Sequence, residues 1–184
     1  EWRAFPGRVT FEHGFIAVAN DATRLYLLVD VLGDSRADAR TAASEGDWIE
    51  VFVDMDADGR VTPNLDRIYT LLPGSYDVRE QRFVASGGRT DPRPEPTYSS
   101  IATGFGCYAE DRTELLYTPP FGPVCKQHRV WELALDLAEV GQNPSSLAHQ
   151  LRIGILVHSR LPAEFTDQVP SGFLTDFGRM LDAD

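Results

Sequence analysis

Apolar residues along most of the chain recur with the two-residue period of β-strands. Runs rich in Val, Ile, Leu, Tyr and Phe alternate with turn signals, and Gly or Pro stands in almost every gap. No long segment carries the i, i+3, i+4, i+7 stripe of an amphipathic helix. The pattern predicts strands at Phe15–Ala19, Arg24–Leu32, Trp48–Asp54, Arg67–Leu72, Tyr76–Ala85, Tyr98–Phe105, Thr113–Tyr117, Val130–Leu137 and Leu151–Ser159.

Two kinds of strand pattern indicate how these strands pack. Between Trp131 and Leu137, apolar residues alternate with Glu132 and Asp136, as in a strand with one face on the core. In Arg24–Val31 the apolar run is continuous, which is typical of a central strand covered on both faces. We therefore expect an all-β fold, a two-sheet antiparallel β-sandwich of the jelly-roll or immunoglobulin-like kind.

Little of the chain is left for other structure. Short helical turns are expected only within Ser35–Glu45 and Leu137–Val140, the second ended by Gly141. Segment Ser86–Pro96 contains three prolines and two glycines, so we expect an exposed loop there. At 184 residues, the chain is predicted to form one sandwich domain over residues 1–184.

The charge of the chain narrows its possible partners. The 17 Lys and Arg against 28 Asp and Glu give a net charge of -11, which repels nucleic acid and anionic membranes. No apolar run approaches the ~20 residues needed to cross a bilayer, so membrane insertion is not expected. The sequence opens at Glu1 without a signal peptide, and we expect a mature secreted form or a domain of a longer protein.

The acidic segment after the strand Trp48–Asp54 is the sharpest local signal for a ligand. Its carboxylates alternate along Asp54–Arg60, and Gly59 permits a sharp turn. The candidate ligands are side-chain oxygens of Asp54, Asp56, Asp58 and Asp66 and the carbonyl of Arg60. Calcium takes about six to eight such oxygens, and without a cation the carboxylates repel one another.

This loop departs from the EF-hand pattern. The twelfth position, where an EF-hand has a bidentate Glu, is Leu65, and strands rather than helices flank the loop. The sequence therefore predicts a structural calcium held between two strands. An acidic turn, in which aspartates cap their own backbone amides, is the alternative.

The sequence carries no motif typical of an enzyme. Its histidines are His13, His128, His149 and His158. They lack H-x-H or H-E-x-x-H spacing, and each is interpreted as a surface or packing residue. Glu132 and Asp136 resemble a glycosidase carboxylate pair, but both lie on the polar face of one strand, where solvation explains them. We expect a binding domain and not an enzyme.

Two cysteines and several aromatic residues mark a candidate ligand loop. Cys107 and Cys125 lack the C-x-x-C spacing of a redox motif, and we favour a disulfide between them over two unrelated thiols. Tyr108, Tyr117 and Phe121 cluster around this pair, and their flat faces suit the C–H groups of a sugar ring. Trp2, Tyr98 and Phe105 are further aromatic candidates, whereas Trp48 and Trp131 are predicted to be buried in strands.

Three segments share the order of a known strand pattern. Phe15–Val31 corresponds to an early strand of the pattern "a.a.D...LYl.v.v", and Gly46–Asp54 corresponds to a middle strand "d.vEvfvD". Trp131–Leu137, with the residues WELALDL, corresponds to the start of a late strand "wE.aipl..l". In this order, from about Phe11 to Val157, they resemble carbohydrate-binding module family nine and the related DOMON-like sandwiches. The resemblance implies an extracellular β-sandwich, often with structural calcium and, in the carbohydrate-binding branch, a sugar held between aromatic rings.

The DOMON-like branch also contains haem-binding and interaction domains. Haem needs axial ligands such as Met and His, and the only methionines are Met55, inside the acidic loop, and Met180. We therefore favour a secreted carbohydrate-binding domain with a structural calcium. The alternative is a structural subunit of an extracellular filament or surface layer, which self-associates as its N-terminal segment pairs with a neighbour's sheet edge.

Overall fold

The computed structural model describes residues 8–32, 47–72, 79–84, 88–91, 93–94, 99–106, 116–117, 123–124, 128–137, 151–160, 164–171 and 181–183. Within these ranges all regular secondary structure is β-strand, which confirms the all-β prediction. Among the same residues, no helix is long and apolar enough to span a membrane.

The strands are β1 Arg8–Phe11, β2 Gly14–Asn20, β3 Arg24–Val31, β4 Trp48–Asp54, β5 Arg67–Leu71, β6 Arg79–Arg82, β7 Arg93–Pro94, β8 Ser99–Gly106, β9 Leu116–Tyr117, β10 Pro123–Val124, β11 His128–Asp136, β12 Leu151–Ser159, β13 Phe165–Val169 and β14 Leu181–Ala183. The first sheet has the order β1-β2-β3-β11-β8, and the second has the order β13-β12-β4-β5-β6-β7, with β14 also paired to β12. Strands β9 and β10 form a separate two-stranded ribbon. Neighbouring strands run antiparallel, as predicted.

The core lies between the two sheets. Alternate residues of β3 and β11 in the first sheet pack on alternate residues of β4 and β12 in the second: Leu25, Leu27, Val29, Trp131, Leu133 and Leu135 on one side, and Ile49, Val51, Val53, Ile153, Ile155 and Val157 on the other. Trp131 is only 1% exposed, which confirms its predicted burial. Burial of such side chains supplies about 1.5–3 kcal/mol each and sets the register of the strands.

Both sheets also bury apolar side chains on their outward faces. The first sheet buries Phe15, Leu28 and Val130 there, so β3 is covered on both faces as its continuous apolar run predicts. The second sheet buries Phe52, Ile68 and Leu156 on its outward face, with half-buried Trp48 and Phe83 packed against them. The outward face of the second sheet is therefore apolar where a solvated sheet is polar.

Several strands were missed or misplaced by the sequence patterns. Strands β1, β7, β10, β13 and β14 were not predicted, because each has two to five residues and too few positions to show a period. The predicted loop Ser86–Pro96 contains β7, which pairs with β6, so that part of the prediction was wrong. The predicted turn Ser35–Glu45 lies outside the described residues, as does most of Leu137–Val140.

Candidate functional site

The acidic loop between β4 and β5 gathers three carboxylates. Asp54 is the last residue of β4, and Asp66 directly precedes β5. One oxygen from each of Asp54, Asp56 and Asp66 lies within 4.8 Å of the others. The chain turns tightly between them, with positive φ angles of 53° at Ala57 and 76° at Gly59. Glycine meets such an angle without the strain that a β-carbon adds.

Asp66 ties the two ends of this loop together. Its Oδ1 accepts a hydrogen bond of 3.0 Å from the Met55 amide, and its Oδ2 accepts one of 2.6 Å from the Thr62 amide. Asp66 is 0% exposed. The carboxylate therefore lies in the interior of the loop, where its charge is stabilised only by groups in contact with it.

Asp54 is the second buried carboxylate of the loop. The side chain is 0% exposed, and its Oδ2 accepts a hydrogen bond of 2.9 Å from the Gly59 amide. Its Oδ1 is buried, and no described residue donates a hydrogen bond to it. A buried carboxylate oxygen without a donor costs on the order of 1–3 kcal/mol or more, and a bound cation removes that cost.

The pKa values of these buried carboxylates are raised. Burial raises the pKa of Asp66 to about 6, although the Thr62 and Met55 amides act in the opposite direction. Burial also raises the pKa of Asp54, and neighbouring Asp56 raises it further. A cation placed among the three carboxylates would reverse both shifts, because it favours the charged forms.

The rest of the predicted ligand set is arranged differently. Asp58 is exposed and is not part of the three-carboxylate group, since its Oδ1 accepts a hydrogen bond of 2.7 Å from the Arg60 amide. Asp56 accepts a hydrogen bond of 3.3 Å from the Thr62 hydroxyl. The loop thus combines both interpretations of the sequence: Asp58 caps its own turn, while Asp54, Asp56 and Asp66 converge.

A second group of candidate side chains lies on the outward face of the second sheet. Trp48 on β4 is directly opposite His158 on β12, and their rings stack with centroids 5.2 Å apart and planes 18° apart. Trp48 is only half-buried on this face, so the prediction that its side chain is buried was wrong. The phase of β4 that contains Trp48 also contains Glu50 and Asp54, whereas the other phase is entirely apolar and packs in the core. This alternation is the signal in the sequence that places Trp48 on the outward face.

Charged groups lie beside this aromatic pair on the same face. Arg89 donates two hydrogen bonds to Glu50, of 2.7 Å and 3.2 Å, and its guanidinium lies 5.4 Å from the centre of the Phe52 ring. Antiparallel pairing of Phe83 with Arg89 brings the guanidinium over the sheet. We call Trp48, Glu50, Arg89 and His158 the outer-face patch.

The predicted ligand loop is largely outside the described residues. Tyr117 is described only through the backbone of β9, where it pairs with Pro123. Tyr108 and Phe121 lie outside the described residues, as do Cys107 and Cys125. The ligand role of these aromatic residues and the disulfide therefore stay predictions.

The chain was compared with protein families, curated proteins and solved structures. No family model and no curated protein matches the chain. Among solved structures, it is similar to a carbohydrate-binding module of family 9 from Caldicellulosiruptor kristjanssonii in complex with glucose, with a TM-score of 0.50 and 11% sequence identity. The match covers 98% of this chain and 84% of that chain. At this identity the likeness shows the fold alone, and it confirms the predicted resemblance at that level.

Proposed function

We propose that this chain is a carbohydrate-binding domain whose sugar ring stacks on Trp48 of the outer-face patch. The observation that carries the proposal is the half-buried Trp48–His158 stack, which places a broad flat aromatic surface on a sheet face. The axial C–H groups of a pyranose pack on such a surface, and indole offers the largest one among the side chains.

Polar groups beside the stack suit the hydroxyl groups of a sugar. The Glu50 side chain is 12% exposed and the Arg89 side chain is 38% exposed, so an acceptor and a donor lie next to the aromatic surface. The Thr166 hydroxyl lies 3.0 Å from His158 Nδ1, at the other side of the patch. An aromatic platform with a few fixed polar groups is typical of small-ligand sites.

The similar solved structure supports the same class of ligand, since its protein is a carbohydrate-binding module in complex with glucose. Binding without catalysis is part of the proposal. The structural likeness itself extends only to the fold, so the assignment of sugar binding to this chain depends on the outer-face patch.

Calorimetric titration with glucose, cello-oligosaccharides and xylo-oligosaccharides tests the proposal. We expect Trp48→Ala to weaken sugar binding about tenfold, because the variant removes the flat apolar surface on which the sugar ring packs. A tenfold change in affinity corresponds to about 1.4 kcal/mol. Tyr26→Ala is the matched control, since Tyr26 is a half-buried aromatic residue on the outward face of the first sheet. It should leave affinity unchanged.

Two further variants separate the outer-face patch from the predicted ligand loop. If Tyr117→Ala or Phe121→Ala abolishes binding and Trp48→Ala does not, the sugar site lies at the loop between Cys107 and Cys125. If none of the tested sugars binds the unmodified protein, the carbohydrate-binding role is wrong.

The acidic loop has a structural role in the same proposal. Its carboxylates would hold calcium between the ends of β4 and β5. The buried Oδ1 of Asp54, which receives no hydrogen bond from the described residues, supports this role. Hard oxygen ligands of this kind suit calcium, which accepts irregular geometry. We also propose that the domain acts outside the cell, where calcium is plentiful and a Cys107–Cys125 disulfide would persist.

An assembly subunit is the second candidate function. Among the described strands, β1 is an edge of the first sheet, and an edge strand can pair with another chain. Light scattering at increasing protein concentration tests this role. A monomer at all concentrations, with and without calcium, would contradict it.

A further inference from the structure

The hairpin between β1 and β2 approaches β13 at the side of the sandwich, where the edge strands of the two sheets meet. Glu12 and His13 form the turn of this hairpin, and Asp167 lies on β13. One ligand atom from each of the three residues lies within 4.8 Å of the others. His13 and Asp167 are 154 positions apart in the chain, and the fold brings the His13 Nδ1 to 2.8 Å from the Asp167 Oδ2.

The imidazole of His13 is held in a fixed orientation. Its ring stacks on Phe165 with centroids 3.9 Å apart and planes 14° apart. The His13 side chain is 31% exposed and that of Asp167 is 14% exposed, so both are partly shielded from water and still accessible. A ring that is fixed before binding loses little conformational freedom when it becomes a ligand.

A cavity of about 620 Å³ adjoins these side chains. Glu12 and Asp167 are among the residues that line it, together with the hydroxyl-bearing Thr10, Thr166 and Ser171 and the amide-bearing Gln168. The cavity is large enough for several water molecules or for a small polar ligand. An ion held by Glu12, His13 and Asp167 would therefore have room for ligands other than protein atoms.

We propose that Glu12, His13 and Asp167 form a binding site for a divalent transition cation of the zinc class, with open coordination positions toward this cavity. An imidazole nitrogen with two carboxylates is a donor set that zinc accepts, whereas calcium and magnesium prefer oxygen ligands alone. The net charge of -11 further favours a cation over an anion.

The observed geometry needs only a small change to accept the ion. Two ligand atoms each about 2.0–2.1 Å from a tetrahedral zinc ion lie roughly 3.3 Å apart. The 2.8 Å contact between His13 and Asp167 must therefore widen by roughly half an ångström as the ion replaces the shared proton. Side-chain rotation of Asp167 on an edge strand is sufficient for a change of that size.

Zinc titration of the full chain by calorimetry tests the proposal, with cobalt absorption spectra as a measure of coordination geometry. We expect one saturable zinc site that excess calcium does not displace. His13→Gln should weaken zinc binding at least tenfold, because the amide keeps a donor for Asp167 but replaces the imidazole ligand. Asp167→Asn should have a similar effect.

Two control variants keep the result specific. Glu132→Gln changes an exposed carboxylate on β11, outside this group of ligands, and should leave zinc affinity unchanged. Asp54→Asn alters the acidic loop and should also leave it unchanged. The proposal is overturned if the unmodified protein has no saturable zinc site, or if His13→Gln, folded by its melting curve, binds zinc as tightly as the unmodified protein.

Discussion

The turn around Asp21 and the acidic loop from Asp54 to Asp66 both place aspartate carboxylates against backbone amides. The pKa of the carboxylate is lowered in the turn and raised in the loop. Asp21 Oδ1 accepts hydrogen bonds of 2.7 Å from the amides of Thr23 and Arg24, and Oδ2 accepts one of 2.9 Å from the Tyr26 hydroxyl. These hydrogen bonds lower the pKa of exposed Asp21 to about 2. In the acidic loop, burial raises the pKa of Asp66 to about 6.

The contrast shows that the supply of donors does not by itself decide whether a carboxylate needs a cation. Asp66 also accepts two backbone hydrogen bonds, but it is buried and close to Asp54 and Asp56. Asp21 is in water and has no carboxylate in its turn except its own. Burial and like charge, and not the presence of aspartate in a turn, therefore distinguish a candidate metal site from a capped turn.

Calcium removal should give the largest difference between the two regions. We expect added calcium to restore the melting temperature after EDTA treatment. At a calcium concentration 100 times the dissociation constant, the free energy of unfolding should rise by about 2.7 kcal/mol. Asp54→Asn should remove this calcium effect, while Asp21→Asn should keep it. Thermal melts of the three proteins measure the effect, and an identical melt with EDTA and with calcium would reduce the loop to an acidic turn.

The pH dependence of stability should be the next largest effect. Because the folded pKa of Asp66 exceeds its ordinary value of 3.8, the folded apo protein holds more protons than the unfolded chain in this range. In EDTA, the stabilisation that the protonated Asp66 contributes is complete below about pH 4 and is lost as the pH rises through about 6. This loss lowers the free energy of unfolding by on the order of 1–3 kcal/mol.

Bound calcium should reverse this slope, because the ion requires the charged carboxylates. Urea unfolding at a series of pH values, with EDTA and with calcium, measures the difference. Carboxyl NMR titration in EDTA should place Asp66 near 6 and Asp21 near 2. A stability that is equally flat with pH in both conditions would show that the loop carboxylates are not linked to a metal.

Replacement of Asp21 should give the smallest effect and no dependence on metal. Asp21→Ala removes the cap of the turn between β2 and β3, so we expect a fall of a few degrees in melting temperature, equal with calcium and with EDTA. Since the pKa of Asp21 is lowered, its contribution is present above about pH 4 and disappears as the pH falls through about 2. Melts at neutral and at strongly acidic pH check this, and a calcium-dependent fall would contradict it.

The long central strands were predictable from the sequence because their residues repeat one pattern for seven or more positions. Strands β3, β4 and β12 appear within a residue of their predicted bounds. Edge strand β13 was not recognised, since Phe165–Val169 has three polar residues between two apolar ones and shows no alternation. The fold class could therefore be predicted from the central strands of the sheets, whereas the edge strands could not be predicted.

The candidate sites were likewise predictable only where neighbouring residues in the sequence form them. Asp54, Asp56 and Asp66 lie within 13 residues of one another, so their spacing alone indicated a cation loop. Whether Asp58 joins them depends on the path of the backbone, which directs Asp58 to the Arg60 amide. The outward position of Trp48 depends on which phase of β4 meets the core, and that phase is set by Ile49 and Val51 packing against the first sheet.

The sequence by itself determined the class of the fold, the strands that build its core and the presence of an acidic loop, because each is written in the spacing of nearby residues. Only the tertiary structure decided which carboxylates are buried, that Trp48 stacks on His158, and that His13 meets Asp167 from 154 positions away. Burial and long-range contact are properties of how the sheets pack, and a local pattern of residues carries no record of them.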